Sequence, residues 1–217
     1  MPGRAVPLVT EEIYHIFNRG VEKKDIFREY RDYKRFQQTF HYYQYQGPKP
    51  KYSSSKHGIY TFAPIPENRL VEIYSYCLMP NHFHFLVKQL KNSGISIFLS
   101  QLSNSYTKYF NTKYKRIGSL LQGTFKSVLV ENEPQFLHLS RYIHINPVVS
   151  GLVKNLDSYP WSSYKEYVQL GNVLCSTKEV LQLFPTKEEY RKFLKNQIEY
   201  GETLELIKHQ LLDFEEN

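Results

Sequence analysis

The chain has 217 residues, 41% of them apolar and 23% charged, enough for one sizeable core with an appendage. Its two cysteines, Cys77 and Cys175, lie far apart and match no metal or redox spacing, which excludes a disulfide scaffold and suits a reducing cytosol. No apolar run approaches the ~20 residues of a bilayer span and the N-terminus lacks a signal-peptide core, so a cytoplasmic protein without a membrane partner is expected. The net charge of +7, with 19 Tyr and 14 Phe against a single Trp, suits a nucleic acid, because lysines take phosphates and aromatic faces take unpaired bases.

In chain order, "EEIYHIFNRG" (11–20) is rich in β-branched and aromatic residues and stops at a glycine, which predicts a strand. Tyr33, Phe36, Phe40 and Tyr43 recur at helical spacing within 28–47. The Pro/Ser/Lys stretch 48–58 predicts an exposed, mobile loop. Residues 69–79 and 82–90 read as two strands around the turn Pro80-Asn81, a hairpin. Ile95, Phe98, Leu99, Leu102, Tyr106, Tyr109 and Phe110 mark one face of a long helix after Gly94. A fourth strand is expected at 123–131. A helix follows at 132–146, with Asn132 as N-cap, Pro134 in its first turn and Pro147 just past its end. A turn-rich connection and a mostly helical tail from 176 complete the chain.

Strand, helix, strand, strand, helix, strand is the split βαβ order of an α+β, ferredoxin-like domain. Its antiparallel sheet carries helices on one face and leaves the other open. The helix at 132–146 and the helical C-terminal extension are additions to that core.

Within "YCLMPNHFHFLVK" (76–88), His82 and His84 sit two apart on one strand. They therefore share a face about 7 Å apart, while Phe83, Phe85 and Val87 point into the helices. His-x-His alone is a weak motif, and by itself it favours two half-exposed histidines on an open sheet over a metal site. On the helix at 132–146, Phe136, Leu139 and Ile143 form the core face, and Gln135, His138, Tyr142 and Asn146 cluster on the adjacent side. Arg141 and His144 fall elsewhere on this helix and read as surface residues. Two imidazoles and an asparagine oxygen make a mixed nitrogen/oxygen set suited to Mn²⁺ or Mg²⁺. A neighbouring tyrosine could attack a phosphodiester, although a free phenol with pKa near ~10 needs help in losing its proton.

Four motifs in order, "YCLMPNHFHFLVK", "LLQGTFKSVLVE", "SRYIHINPVVSGLV" and "YPWSSYKEY", resemble the single-tyrosine HUH transposases (IS200-like transposase domain) from about residue 11 to 167. The nearest likeness is to their REP-associated tyrosine transposase branch. The resemblance implies a transposase domain over 1–167 and a C-terminal helical extension over 168–217. It implies His82 and His84 as metal ligands, Tyr142 as nucleophile and Asn146 as third ligand. The simplest insertion-sequence relatives carry glutamine at that last position, and Asn146 with the following Pro-Val points to the REP-associated branch.

Such enzymes cut single-stranded DNA beside a hairpin with a divalent metal, Mg²⁺ or Mn²⁺, leaving a 5′-phosphotyrosine and a free 3′-OH. His138 is a candidate to assist proton transfer, and His144 is given no role. Tyr14, His15, Tyr106 and Tyr109 read as packing residues. Arg19, Lys108, Lys113, Lys115, Arg116 and Lys126 are candidates for phosphate contacts, with Lys126 first among them because "QGTFKS" belongs to the resemblance. The expected state is a monomer, with a dimer as alternative. Two other functions compete: a metal phosphodiesterase without a covalent intermediate, in which Tyr142 is structural, and a non-catalytic hairpin DNA or RNA binder.

Overall fold

The computed structural model describes residues 7–47, 52, 66–169 and 174–197. Strands β1 (Ile13–Arg19), β2 (Val71–Met79), β3 (His82–Gln89) and β4 (Lys126–Leu129) form one sheet in the order β2-β3-β1-β4. All three pairings are antiparallel. Together with α1 (Tyr30–Tyr43) and α2 (Gly94–Lys113), this is the expected split βαβ arrangement, with helix ends within a few residues of the periodicity. The expected loop at 48–58 falls outside the described residues except for Tyr52, as does the tail beyond 197.

Alternation along the strands divides the core in two. Tyr14, Ile16, Phe83, Phe85, Val87, Ile73 and Leu78 face α1 and α2, where they meet Phe36, Phe40, Phe98, Leu102 and Tyr106. The opposite face presents Cys77, Met79 and Leu86 to α3 (Glu133–Val149). Asn132 caps α3 by accepting from the Gln135 amide at 2.9 Å, and Pro134 sits in the first turn, where a missing N–H costs nothing. Pro147 lies inside the helix rather than beyond it. Its carbonyl accepts the Leu152 and Val153 amides, so the chain turns away only after Val149.

The C-terminal part is not a free appendage. Residues of α4 (Tyr164–Val168), α5 (Lys178–Leu181) and α6 (Lys187–Lys195) share one apolar cluster with α3, through Tyr164, Tyr167, Val180, Tyr190 and Leu194. The sheet is thus covered on both faces, by α1 and α2 on one and by α3 with its C-terminal support on the other. Among the described residues, no helix is long and apolar enough to cross a membrane.

Candidate active site

Register fixes what lies beside the histidine pair. Arg19 pairs with His82, and Phe17 with His84, while Phe17 also pairs with Lys126 on β4. Paired residues project from the same face of a sheet, so Arg19, His82, Phe17, His84 and Lys126 belong to one surface. His82 and His84 lie with ring centroids 5.0 Å apart. His15, two residues before Phe17, reaches diagonally to His84, with Nε2 and Nδ1 separated by 2.9 Å. Its place was hidden in the sequence because the β1–β3 register links residues 69 apart. The available signal was the alternation in "IYHIFNR", which puts His15 and Phe17 on one face once β1 is placed beside β3.

Helix α3 brings Tyr142 to this surface. The half-buried phenol ring stands edge-on to His84 at 5.6 Å and to His15 at 6.0 Å between centroids. Asn146 follows one turn later, also half-buried. The helix is held at this height by Phe136 against Tyr74 (5.1 Å) and by Ile143, Ile145 and Val148 in the core. The expected core stripe Phe136–Leu139–Ile143 is therefore present, with Leu139 at its margin.

Burial decides the protonation of the site. Desolvation pulls His15 down to about 4. His84 is held well below the usual imidazole range by burial first, with His15 and His82 nearby adding to it. Both are neutral at neutral pH, the state in which imidazole can ligate a metal. His82 donates from Nδ1 to Asn81 Oδ1 at 2.6 Å, which places its lone pair on Nε2. His84 Nε2 is buried with no hydrogen-bond partner, while Nδ1 engages His15. An orphaned imidazole nitrogen beside a second histidine fits a divalent cation. Among the described residues no group of three or more His, Cys, Asp and Glu side chains is arranged to hold one, which leaves the amide of Asn146, one turn beyond Tyr142, as the candidate third ligand named by the sequence. A cavity of about 300 Å³ lies elsewhere, lined by Ile13, Asn132, Phe136 and Glu179 at the start of α3. The histidine surface is outside it.

The six basic candidates separate. Arg19 and Lys126 share the histidine face, Lys126 exposed and Arg19 donating from Nε to Gln122 Oε1 at 2.6 Å. Lys108 and Lys115 are exposed on and just after α2, in the layer behind the sheet. Arg116 donates to Asn111 Oδ1 and rests over the Phe110 ring. Lys113 is engaged internally: it pairs with Glu29 at 2.7 Å and with Asp32, a fully buried carboxylate that also accepts from the hydroxyls of Tyr109 and Tyr114. Tyr106 and Tyr109 are packing residues, as expected, Tyr106 donating to the Ile26 carbonyl from a fully buried position.

The surface assignment of His144 and Arg141 is overturned. His144 is fully buried and Arg141 is 8% exposed, because α4 and α6 cover that side of α3. His144 bonds through Nδ1 to the Tyr190 hydroxyl and through Nε2 to the Ser163 hydroxyl, each at 2.7 Å. Ser163 in turn binds the Tyr76 backbone on β2, and Ser140 meets the same Tyr190 hydroxyl at 3.1 Å. Arg141 lies over the Phe193 ring at 4.2 Å and donates to His138 Nδ1. His138 is therefore tied to Arg141 beside α6, with its ring 6.4 Å from Phe193.

Comparison with known proteins bears on the family and the fold. Residues 52–146 match the family described as "Transposase IS200 like". A Haemophilus influenzae protein named for the REP-associated tyrosine transposases is 27% identical over 109 residues, which are 45% of this chain and 61% of that relative's length. A solved structure titled as a REP-associated tyrosine transposase bound to a REP hairpin superimposes with TM-score 0.58 at 14% identity, covering 81% of this chain and 94% of that one. The likeness read from the four sequence motifs is borne out in both sequence and fold.

Proposed function

With an IS200-like transposase domain identified over residues 52–146, we propose that the protein nicks and transfers single-stranded DNA beside a hairpin through a covalent bond to Tyr142. The observation that carries this reading is the meeting of Tyr142 with His84 and His15 across the sheet face, although these histidines lie 58 (142 − 84) and 127 (142 − 15) residues before it in sequence. A hydrolase or a passive binder has no need of a phenol held edge-on to that histidine pair.

In the proposed reaction the Tyr142 hydroxyl oxygen forms a bond to phosphorus and the bond to the leaving 3′-oxygen breaks. The phenol gives up its proton and the departing oxygen acquires one, giving a 5′-phosphotyrosine and a free 3′-OH. His82, His84 and Asn146 would hold Mg²⁺ or Mn²⁺, which when bound would polarise the phosphate and offset its developing charge. The remaining contribution is positional, since α3 fixes the phenol over the sheet and so supports in-line attack. Lys126 and Arg19, on the same face, would hold flanking phosphates. The neighbour bound to a REP hairpin supports a hairpin substrate of that type for this chain. A monomer suffices, because one chain brings together its own tyrosine and histidines.

The test is incubation with end-labelled hairpin DNA carrying single-stranded flanks, in Mn²⁺ or Mg²⁺. A denaturation-resistant protein–DNA adduct is expected for the parent and none for Tyr142→Phe. Cleavage that persists in Tyr142→Phe without an adduct would favour the phosphodiesterase, and binding without cleavage in either metal would favour the passive binder.

A further inference from the structure

His15 has no role in the sequence motifs, yet it meets His84 in a buried, directional contact. Both rings are nearly buried, at 8% and 6% exposure, and their planes are within 18° of each other. The nitrogens face each other at 2.9 Å, so the bond lies close to the ring planes, where an imidazole N–H points. Phe17 closes on both rings, at 5.1 Å from His15 and 5.9 Å from His84, and Tyr142 closes from the helix side.

Such a bond needs one N–H and one lone pair. If His15 Nε2 donates, His84 carries its proton on Nε2, an N–H buried with no acceptor. If His84 Nδ1 donates, Nε2 becomes a buried lone pair beside His82, which a cation would satisfy. The second arrangement removes the unmet donor. It also follows the general pattern in which a ligating imidazole donates its other N–H to a fixed partner.

We propose that His15 is a positioning residue for His84: it accepts the His84 Nδ1 proton, fixes the ring against rotation and leaves Nε2 as the ligating nitrogen for a divalent cation. The inference rests on the metal reading given under Proposed function. His15 itself would touch neither metal nor DNA.

Two measurements test it. In the metal-free parent protein, long-range ¹H–¹⁵N spectra should show His84 protonated on Nδ1 and not on Nε2. Mn²⁺ affinity, read by electron paramagnetic resonance, should fall about 10–100-fold in His15→Phe, the usual cost of losing such a partner. His15→Gln should recover most of that loss, since its amide oxygen can take the place of Nε2. A His84 protonated on Nε2, or undiminished Mn²⁺ affinity in a folded His15→Phe, overturns the inference while the nucleophile assignment stands. A parent protein that binds no Mn²⁺ overturns the metal reading and this inference together. Should His15→Phe fail to fold, the tautomer measurement on the parent still decides.

Discussion

Lys113 and Lys126 have the same charge and opposite occupations. Lys113 neutralises Asp32, which is wholly buried and also holds two tyrosine hydroxyls and the Arg28 amide. Removing the ammonium strands a buried carboxylate, so Lys113→Met should cost about 2–4 kcal/mol in urea denaturation. Lys126 is exposed beside Phe17 and His84, and Lys126→Ala should leave stability within about 0.5 kcal/mol. It should weaken hairpin binding and lower the slope of log affinity against log salt by about one. Equal loss of DNA affinity in both variants, at unchanged stability, would contradict this division. Sequence position alone could not separate them, because Lys113 finds its partner 81 residues away.

At the scale of elements, α3 is the part on which the site depends. Its start was legible from Asn132 and Pro134, and its apolar side from Phe136 and Ile143, because capping and 3.6-residue periodicity are local properties. Its other side was not. His144 looks like a surface residue on a helix that faces one layer, and only the return of α4 and α6 makes it a buried polar anchor. The same holds for His15, whose partner is set by strand register rather than by neighbours in sequence. Tyr190→Phe removes the hydroxyl shared by His144 and Ser140 and should loosen α3 by about 1–2 kcal/mol. Native-state hydrogen exchange should then quicken roughly tenfold at α3 amides with little change in α1. Unchanged exchange along α3 would show that α6 does not brace the tyrosine-bearing helix.

At the scale of the whole molecule, His15, His84 and His144 are the histidines buried in the neutral form among the described residues. Burial lowers His15 to about 4 and His144 to about 3, and holds His84 well below its usual value. In the unfolded chain each would titrate near 6.5, so on acidification the unfolded state binds protons first. Their contribution is complete above pH ~6.5 and is lost as pH falls from there towards the folded values. Glu166 acts in the opposite sense. Burial raises it to about 7, against the pull of the Cys175 and Leu174 amides and the Tyr76 hydroxyl, so it favours the folded state as pH falls from about 7 towards 4.5. One carboxyl offsets one imidazole of three. Stability should therefore drop between pH 6.5 and 4.5, by up to about 1.4 kcal/mol per pH unit for each uncompensated histidine. A flat urea midpoint across that window would contradict the burial of the histidine cluster.

The proposed nicking reaction turns on one phenol, Tyr142, held against His84 and His15. Its most direct test is to digest the protein after reaction with hairpin DNA and Mn²⁺ and to map the nucleotide-bearing peptide by mass spectrometry. A single phosphodiester-linked residue, Tyr142, is expected in the peptide spanning α3. An adduct on another of the chain's 19 tyrosines, or DNA cut with no residue modified, would contradict it.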